Sequence, residues 1–320
     1  MRDRFQREID YIRISVTDKC NFRCRYCMPE EGVETIPHSE VLSFEEIVRV
    51  VSVLSELGIK KVKITGGEPL VRRDICTLIQ KIAKISGIED ITLTTNGFLL
   101  GEMAEQLKRA GIRTINVSVD TLNRREFADI CRRDGLDQVL DSIEKAKNSG
   151  LEIRINTTVS EESNLEELFE LLEYFVNRDI PVRFIELMPI GCGHGSRVKN
   201  QDLQKMLKKR YPDFVRSNFS GNGPAVYYTF GKNKKVGFIS AVHNKFCESC
   251  NRIRLSCDGK IKPCLASSLS YDIKAVLRSG GDDKKLKESL EQAIFYKPLE
   301  HHFGKEKSGC IKNTMNQIGG

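Results

Sequence analysis

Apolar, β-branched runs recur along the first half of the chain, at IDYIRISVT (9–17), KKVKIT (60–65), ITLTT (91–95), TINVSV (114–119), LEIRINTTV (151–159) and PVRFIEL (181–187). Between them lie segments with apolar residues at helical spacing: SFEEIVRVVSVLSELG (43–58), RDICTLIQKIAKI (73–85), LLGEMAEQLKRAG (99–111), DQVLDSIEKAKNSG (137–150) and NLEELFELLEYFVNR (164–178). The short runs predict strands and the longer ones amphipathic helices. Ser43 with Glu46 three residues on predicts a capping box, in which each side chain satisfies an orphan amide. Gly58, Gly111 and Gly150 close three of the helices, where a left-handed terminal residue is cheapest in glycine. This alternation of strand and helix predicts an α/β fold with parallel strands and right-handed crossovers. Six strands suit either an open doubly wound sheet or an incomplete barrel. In both, chemistry gathers at the carboxyl ends of the strands.

After about residue 190 the pattern changes. GCGHGSRVKN reads as a loop, QDLQKMLKKRY as a short helix, and AVYYTF and KVGFIS alternate like antiparallel strands. A helix-like stretch at 282–296 and a polar tail ending in Gly319 and Gly320 follow. We place a boundary near residue 200, with parts at 1–200 and 201–320. The second part shows no core of its own and is expected to pack onto the first.

The 320 residues are 40% hydrophobic and 30% charged, which suits a folded core and excludes global disorder. A net charge of +7 is modest and spread along the chain, as suitable for an anionic small substrate as for nucleic acid. No apolar run approaches the roughly 20 residues of a membrane span, and the start lacks an apolar leader. The expectation is a soluble, cytoplasmic protein without a membrane partner.

Eleven cysteines are many, and seven fall in two bunches: Cys20, Cys24 and Cys27, then Cys247, Cys250, Cys257 and Cys264. In a reducing compartment bunched thiols read as metal ligands. Cys76, Cys131, Cys192 and Cys310 stand alone and are read as buried or incidental. The first bunch follows the first strand. Its three thiolates can hold three irons of a cubane, leaving the fourth iron free to bind something reactive, whereas ordinary carriers use four thiolates. Structural zinc also wants four ligands, and none stands near Cys27. The second strand runs into Gly66-Gly67-Glu68-Pro69, where the glycines admit a ligand close to the backbone and the carboxylate can meet an ammonium. Cys247, Cys250, Cys257 and Cys264 together would make a four-thiolate zinc site, and spacing alone leaves that open. In a strand, Arg252, Arg254 and Ser256 share one face and Cys257 the other. Two guanidinium forks on one face can address one triphosphate.

The cysteine loop C-x3-C-x2-C, with Tyr26 before the last Cys, followed by GGEP, resembles the radical S-adenosylmethionine (SAM) superfamily. RISVTDKCNFRCRYCMP, KITGGEPLVRRD, LTTNG, INVSVD, RFIELM, FCESCNRIRLSCDGKIKPCL and the terminal IGG extend the likeness over essentially the whole chain. Within the superfamily they resemble the GTP 3′,8-cyclase family of molybdenum cofactor biosynthesis.

That resemblance implies an incomplete (βα)6 TIM-like barrel with a C-terminal α+β extension covering the open side. It implies SAM and two [4Fe-4S] clusters, one on Cys20, Cys24 and Cys27 and a second on Cys247, Cys250 and Cys264. Cys257, a small non-ligand residue in the family, is then a departure that would close the iron holding guanine if it ligated. SAM contacts carry over to Tyr26, Gly67, Ser118 and Met188. GTP contacts carry over to Arg13, Lys63, Thr94, Arg154, Arg183, Arg252, Ile253 and Arg254, with support from Lys61. Lys63 stands where the family often has Arg, and Arg154 where it commonly has Lys. Gly319 and Gly320 are expected to reach toward the active site, and His301 and His302 to lie on the surface. The implied lyase reaction takes hydrogen from C3′ of GTP and closes the ribose onto C8, giving (8S)-3′,8-cyclo-7,8-dihydroguanosine 5′-triphosphate. Implied partners are an electron donor and the synthase that makes cyclic pyranopterin monophosphate from this product. No nucleic acid is expected, and the protein would be a monomer or a homodimer. The alternatives are a peptide-maturing radical SAM enzyme with an auxiliary cluster, and a zinc-ribbon binding module.

Overall fold

In the computed structural model, residues 1–160, 162–193, 198–219, 221, 223–301, 303 and 314–319 are described. The elements of the first half are β1 (Tyr11–Ser15), α1 (Phe44–Glu56), β2 (Lys61–Thr65), α2 (Ile75–Ala83), β3 (Asp90–Thr95), α3 (Leu100–Ala110), β4 (Thr114–Ser118), α4 (Arg124–Cys131), α5 (Leu136–Asn148), β5 (Glu152–Val159), α6 (Leu165–Val176) and β6 (Val182–Glu186). The second half adds α7 (Asn200–Arg210), β7 (Val215–Arg216), β8 (Val226–Phe230), β9 (Lys234–Ile239), β10 (Arg252–Leu255), β11 (Lys260–Lys262), β12 (Tyr271–Asp272), α8 (Ile273–Arg278), α9 (Asp283–Phe295) and α10 (Met315–Ile318).

All strands join one sheet in the order β12-β11-β10-β1-β2-β3-β4-β5-β6-β9-β8-β7. Pairing is parallel from β10 through β1 to β6 and on to β9, and antiparallel beyond, including β8 with β9. The second part of the chain does not merely lie on the first. It extends the same sheet from both edges, β10 beside β1 and β9 beside β6.

Period-2 alternation sorts the side chains. Ile12, Ile14, Val62, Ile64, Leu93, Ile115, Val117, Ile155 and Phe184 point to the buried core, where α1 contributes Ile47, Val51 and Leu54 and α2 contributes Leu78 and Ile82. Their neighbours Arg13, Lys63, Thr94, Ser118, Asn156 and Arg183 line a cavity enclosed by the other face. One cavity lined from β1 through β6 is the mark of a sheet curled into a partial barrel, not of a flat doubly wound one.

The capping box at α1 forms, with the Glu46 amide donating to Ser43 Oγ at 3.1 Å and the Ser43 amide to Glu46 Oε2 at 2.7 Å. Gly58, Gly111 and Gly150 all adopt positive φ. Among the described residues no helix is long and apolar enough to cross a membrane. His301, expected on the surface, is buried and packs its ring against Phe303. His302, Cys310 and Gly320 lie outside the described residues.

Candidate active site

The loop after β1 carries Cys20, Cys24 and Cys27 into the cavity. The end of α4 grips this loop. The Arg23 amide donates to the Cys131 carbonyl at 3.0 Å and the Arg25 amide to the Ile130 carbonyl at 2.9 Å. In return the Arg132 guanidinium donates to the carbonyls of Arg23 and Met28, and Arg133 to that of Asn21. Burial pushes the Cys20 thiol up to about 12 and raises Cys27 further, each helped by the neighbouring thiols. Held as thiolates, these three sulfurs need a cation to compensate them, which is what a cluster's irons supply.

Gly66 and Gly67 follow β2 at the same end of the sheet. A Cβ on Gly67 would stand 2.4 Å from the Lys19 carbonyl oxygen, so only glycine lets this turn close against the cysteine loop. Glu68 is buried, accepting from the Leu70 amide at 3.0 Å, Thr95 Oγ1 at 2.7 Å and the Asn96 amide at 2.7 Å. Desolvation outweighs those donors and pushes its carboxyl up to about 7. Tyr26 faces the cavity and donates its hydroxyl to half-buried Asp120 at 2.7 Å. Ser118 and Met188 line the same space.

Register sets a row of cations. Arg254 on β10 pairs with Arg13 on β1, and Arg13 with Lys63 on β2. Residues in register on parallel neighbours point the same way, so three positive side chains stand abreast on the cavity wall. Like charges side by side are destabilising. Accordingly, burial first and then Arg183, Arg13 and Arg154 push the Lys63 ammonium well below its usual range. Burial, Arg13 and Arg252 do the same to Arg254. Arg183, Arg252 and Thr94 complete the lining, and the Arg183 guanidinium donates to Asn116 Oδ1. Such a wall is costly without a polyanion and favourable with one.

Cys247, Cys250 and Cys264 line this cavity too. Burial opposes the Cys250 thiolate, but Arg252 and Lys297 overcome it and bring the group down to about 6. Lys297 is buried at the end of α9 and donates to the carbonyls of Arg252 at 2.8 Å and Pro263 at 2.6 Å. Cys257 is fully buried off the cavity, near Ser15 and Asp18, so the geometry separates it from the trio. Among the described residues no three Cys, His, Asp or Glu side chains converge as on a single metal ion.

Three expected substrate residues do not line the cavity. The Ile253 side chain points into the core on the opposite face of β10, leaving only its main chain for any contact. Lys61 pairs with Asp10 at 2.8 Å. Arg154 lies beside Glu152 at 3.5 Å, though its charge is felt by Lys63 and Arg183. The tail does come in. The Met315 amide donates to the Cys27 carbonyl at 3.2 Å, and the Gly319 carbonyl accepts from Arg254 at 2.5 Å. Asn96, Asp120 and Glu186, whose carboxylate accepts from the Val242 and His243 amides at 3.0 and 3.1 Å, lie in LTTNG, INVSVD and RFIELM, and no local pattern marks them as site residues. Nothing in the sequence marked Lys297.

The Radical SAM superfamily model matches residues 14–175, and the Molybdenum Cofactor Synthesis C model residues 180–303. A GTP 3′,8-cyclase of Clostridium perfringens (strain SM101 / Type A) is 42% identical over 323 residues, covering 100% of both chains. A GTP 3′,8-cyclase of Desulforamulus reducens is 42% identical over 327 residues with the same full coverage. The crystal structure of Streptococcus suis SuiB bound to S-adenosylmethionine matches the fold with a TM-score of 0.63 at 17% identity, over 91% of this chain and 67% of that one. With full-length likeness added to a partial barrel that carries the cysteine loop at its mouth, the chain belongs to the radical SAM superfamily and, within it, to the GTP 3′,8-cyclase family.

Proposed function

We propose that this chain binds GTP and SAM in the cavity lined by both cysteine trios and converts GTP to (8S)-3′,8-cyclo-7,8-dihydroguanosine 5′-triphosphate. The observation that carries this reading is the cavity lining, in which two cysteine trios and the Arg254–Arg13–Lys63 row face one space. Membership in the superfamily implies SAM and a [4Fe-4S] cluster, and the loop of Cys20, Cys24 and Cys27 fits one held at three corners. Cys247, Cys250 and Cys264 would hold a second cluster in the same way. When bound and reduced by one electron, the first cluster would split SAM into methionine and a 5′-deoxyadenosyl radical that could take hydrogen from C3′ of GTP; the ribose radical would close onto C8, and one further electron and a proton would complete the product.

The chain's own residues bind, orient and exclude water. Glu68 is placed to receive the SAM ammonium, and Gly67 to let the ligand approach the backbone. Tyr26, held by Asp120, forms a side wall with Ser118 and Met188. Arg13, Lys63, Arg183, Arg252 and Arg254 meet the triphosphate, and each anion bound relieves their mutual repulsion. Thr94 adds a hydroxyl to the same wall, and Arg154, outside the lining, adds its charge to the field around Lys63 and Arg183. In the two-part division, residues 1–200 carry SAM, and residues 201–320 bring the second trio and two of the cavity arginines. We place the enzyme in the cytoplasm, with a one-electron donor and a downstream cyclic pyranopterin monophosphate synthase as partners.

The test is anaerobic reconstitution followed by iron and sulfide counts and titration with GTP. Two cubanes give roughly eight irons per chain. Saturable GTP binding and conversion are the expected result. Protein with both clusters that binds no GTP overturns the reading.

A further inference from the structure

Cys247, Cys250 and Cys264 come from two segments, the loop before β10 and the loop after β11. These strands pair antiparallel only as far as Arg254 with Lys262. Beyond that pair, where the cysteines stand, a side chain takes over from the ladder. Lys297 Nζ donates to the Arg252 carbonyl at 2.8 Å and to the Pro263 carbonyl at 2.6 Å, one from each segment. Lys297 is 2% exposed, and α9 sets it there by burying Leu286, Leu290 and Ile294 just before it. The Pro263 oxygen belongs to the peptide that enters Cys264, and a trans peptide puts that oxygen about 2.8 Å from the next Cα. The ammonium therefore lies within about 5.5 Å of the Cys264 Cα.

A second cation reaches the same place with its charge already matched. Arg7 donates from Nη1 to the Cys247 and Leu299 carbonyls at 2.8 Å each, and from Nη2 to the Pro298 carbonyl at 2.7 Å. Its Nε and Nη2 also bond buried Asp3, at 2.7 and 2.6 Å. That pair holds the Cys247 turn but is neutral as a unit. Among the described residues no carboxylate pairs with Lys297, and the groups that favour its charge are the sulfurs of Cys250 and Cys264. A buried cation is costly unless an anion stands near it. A cluster gains negative charge on reduction, and nearby charge helps set its potential. We propose that Lys297 is a positioning residue that ties together the two segments of the second trio and raises the reduction potential of the cluster held by Cys247, Cys250 and Cys264. This rests on the cluster assignment proposed above.

The experiment is an EPR-monitored redox titration of anaerobically reconstituted full-length protein, following the signal that SAM leaves unchanged. Lys297→Met removes the charge and the donors at similar length, whereas Lys297→Gln removes the charge and keeps a donor amide. At a fixed poise the reduced-to-oxidised ratio of that signal is expected to fall about tenfold in both, which is about 59 mV for a one-electron couple. The SAM-responsive signal is the internal control and should keep its wild-type ratio. A glutamine variant that titrates like wild type overturns the proposal, as does an equal fall in both signals, which would mark a general disturbance. If the methionine variant keeps only about four irons, the second cluster is lost and the glutamine variant alone decides. A glutamine variant that also loses that cluster overturns the proposal, because a donor without the charge should still hold the two segments. A wild type with no SAM-insensitive cluster sinks the cluster assignment along with it, whereas an unchanged potential on an intact second cluster sinks only the role of Lys297.

Discussion

Gly67→Ala tests whether the GGEP turn and the cysteine loop form one unit. The added Cβ would lie 2.4 Å from the Lys19 carbonyl oxygen and 2.6 Å from that of Asp18. Ordinary contact is roughly 3.5 Å, so the backbone leading into Cys20 must retreat by about 1 Å. Two hydrogen bonds cross the same junction, from the Gly67 amide to the Thr17 carbonyl at 2.6 Å and from the Glu68 amide to the Lys19 carbonyl at 2.8 Å. Overpacking costs about 1–3 kcal/mol, and loss of one such bond about 1 kcal/mol more. An unfolding entropy of about 2.1 cal/mol/K per residue gives about 0.7 kcal/mol per degree for this chain length. The melting temperature should therefore drop by about 3–6 °C. Because Cys20 moves with Lys19, SAM affinity should fall as well. Calorimetry and anaerobic titration with SAM read the two effects. Gly223→Ala, with nothing within 4 Å of the new methyl, serves as the control and should leave the melting temperature unchanged. A Gly67→Ala protein that melts within a degree of wild type and binds SAM normally would refute the close approach.

Cys257→Ser should keep the iron content of wild type, whereas Cys264→Ser should lose about half of it; chemical iron analysis decides, and equal losses would put Cys257 among the ligands. Lys63→Met should stabilise the ligand-free protein by about 1–3 kcal/mol while weakening GTP binding at least about tenfold, read by melting and by titration. Its sign with pH is fixed. The lowered folded pKa means the unfolded chain binds more protons, so the penalty is full below that pKa and relieved as pH rises toward the ordinary lysine range. The gap between variant and wild type should narrow in alkali, and a gap independent of pH would argue against a buried charge. Glu68, with a carboxyl near 7, contributes stability at low pH that is lost as pH rises through 7. SAM's ammonium needs the carboxylate, so SAM affinity should strengthen from pH 6 to pH 8 by up to about tenfold per unit below 7, with proton release visible by calorimetry in buffers of different ionisation enthalpy. A flat profile would remove Glu68 from that contact.

The strand and helix alternation of the first half was legible because each element buries one face, and burial writes its period into the sequence. The α4 helix was not, since RREFADIC carries charge through most of its length and buries only Phe127 and Cys131. Periodicity also says nothing about which edge a late strand will join, so the pairing of Tyr11 with Arg252 was invisible although both strands could be found. The cysteine trios and the glycine turn were legible from local spacing. Their company was not. Arg254, Arg13 and Lys63 form a row only through register between strands far apart in sequence. Ile253 was carried over by position, but alternation turns its side chain to the core. Lys297 gains its importance from what it touches, and no local pattern announces that.

The outer edge of β1 is covered only by β10, and that of β6 by β9. On the ribosome the first strand emerges long before Arg252. At about 5–20 residues per second, the nascent chain spends roughly 10–50 s with that edge bare. Unpaired edges invite association with other chains. A chain terminated prematurely before β9 would leave both edges bare for good. Its fate should be capture by chaperones or aggregation, not accumulation as a half-enzyme.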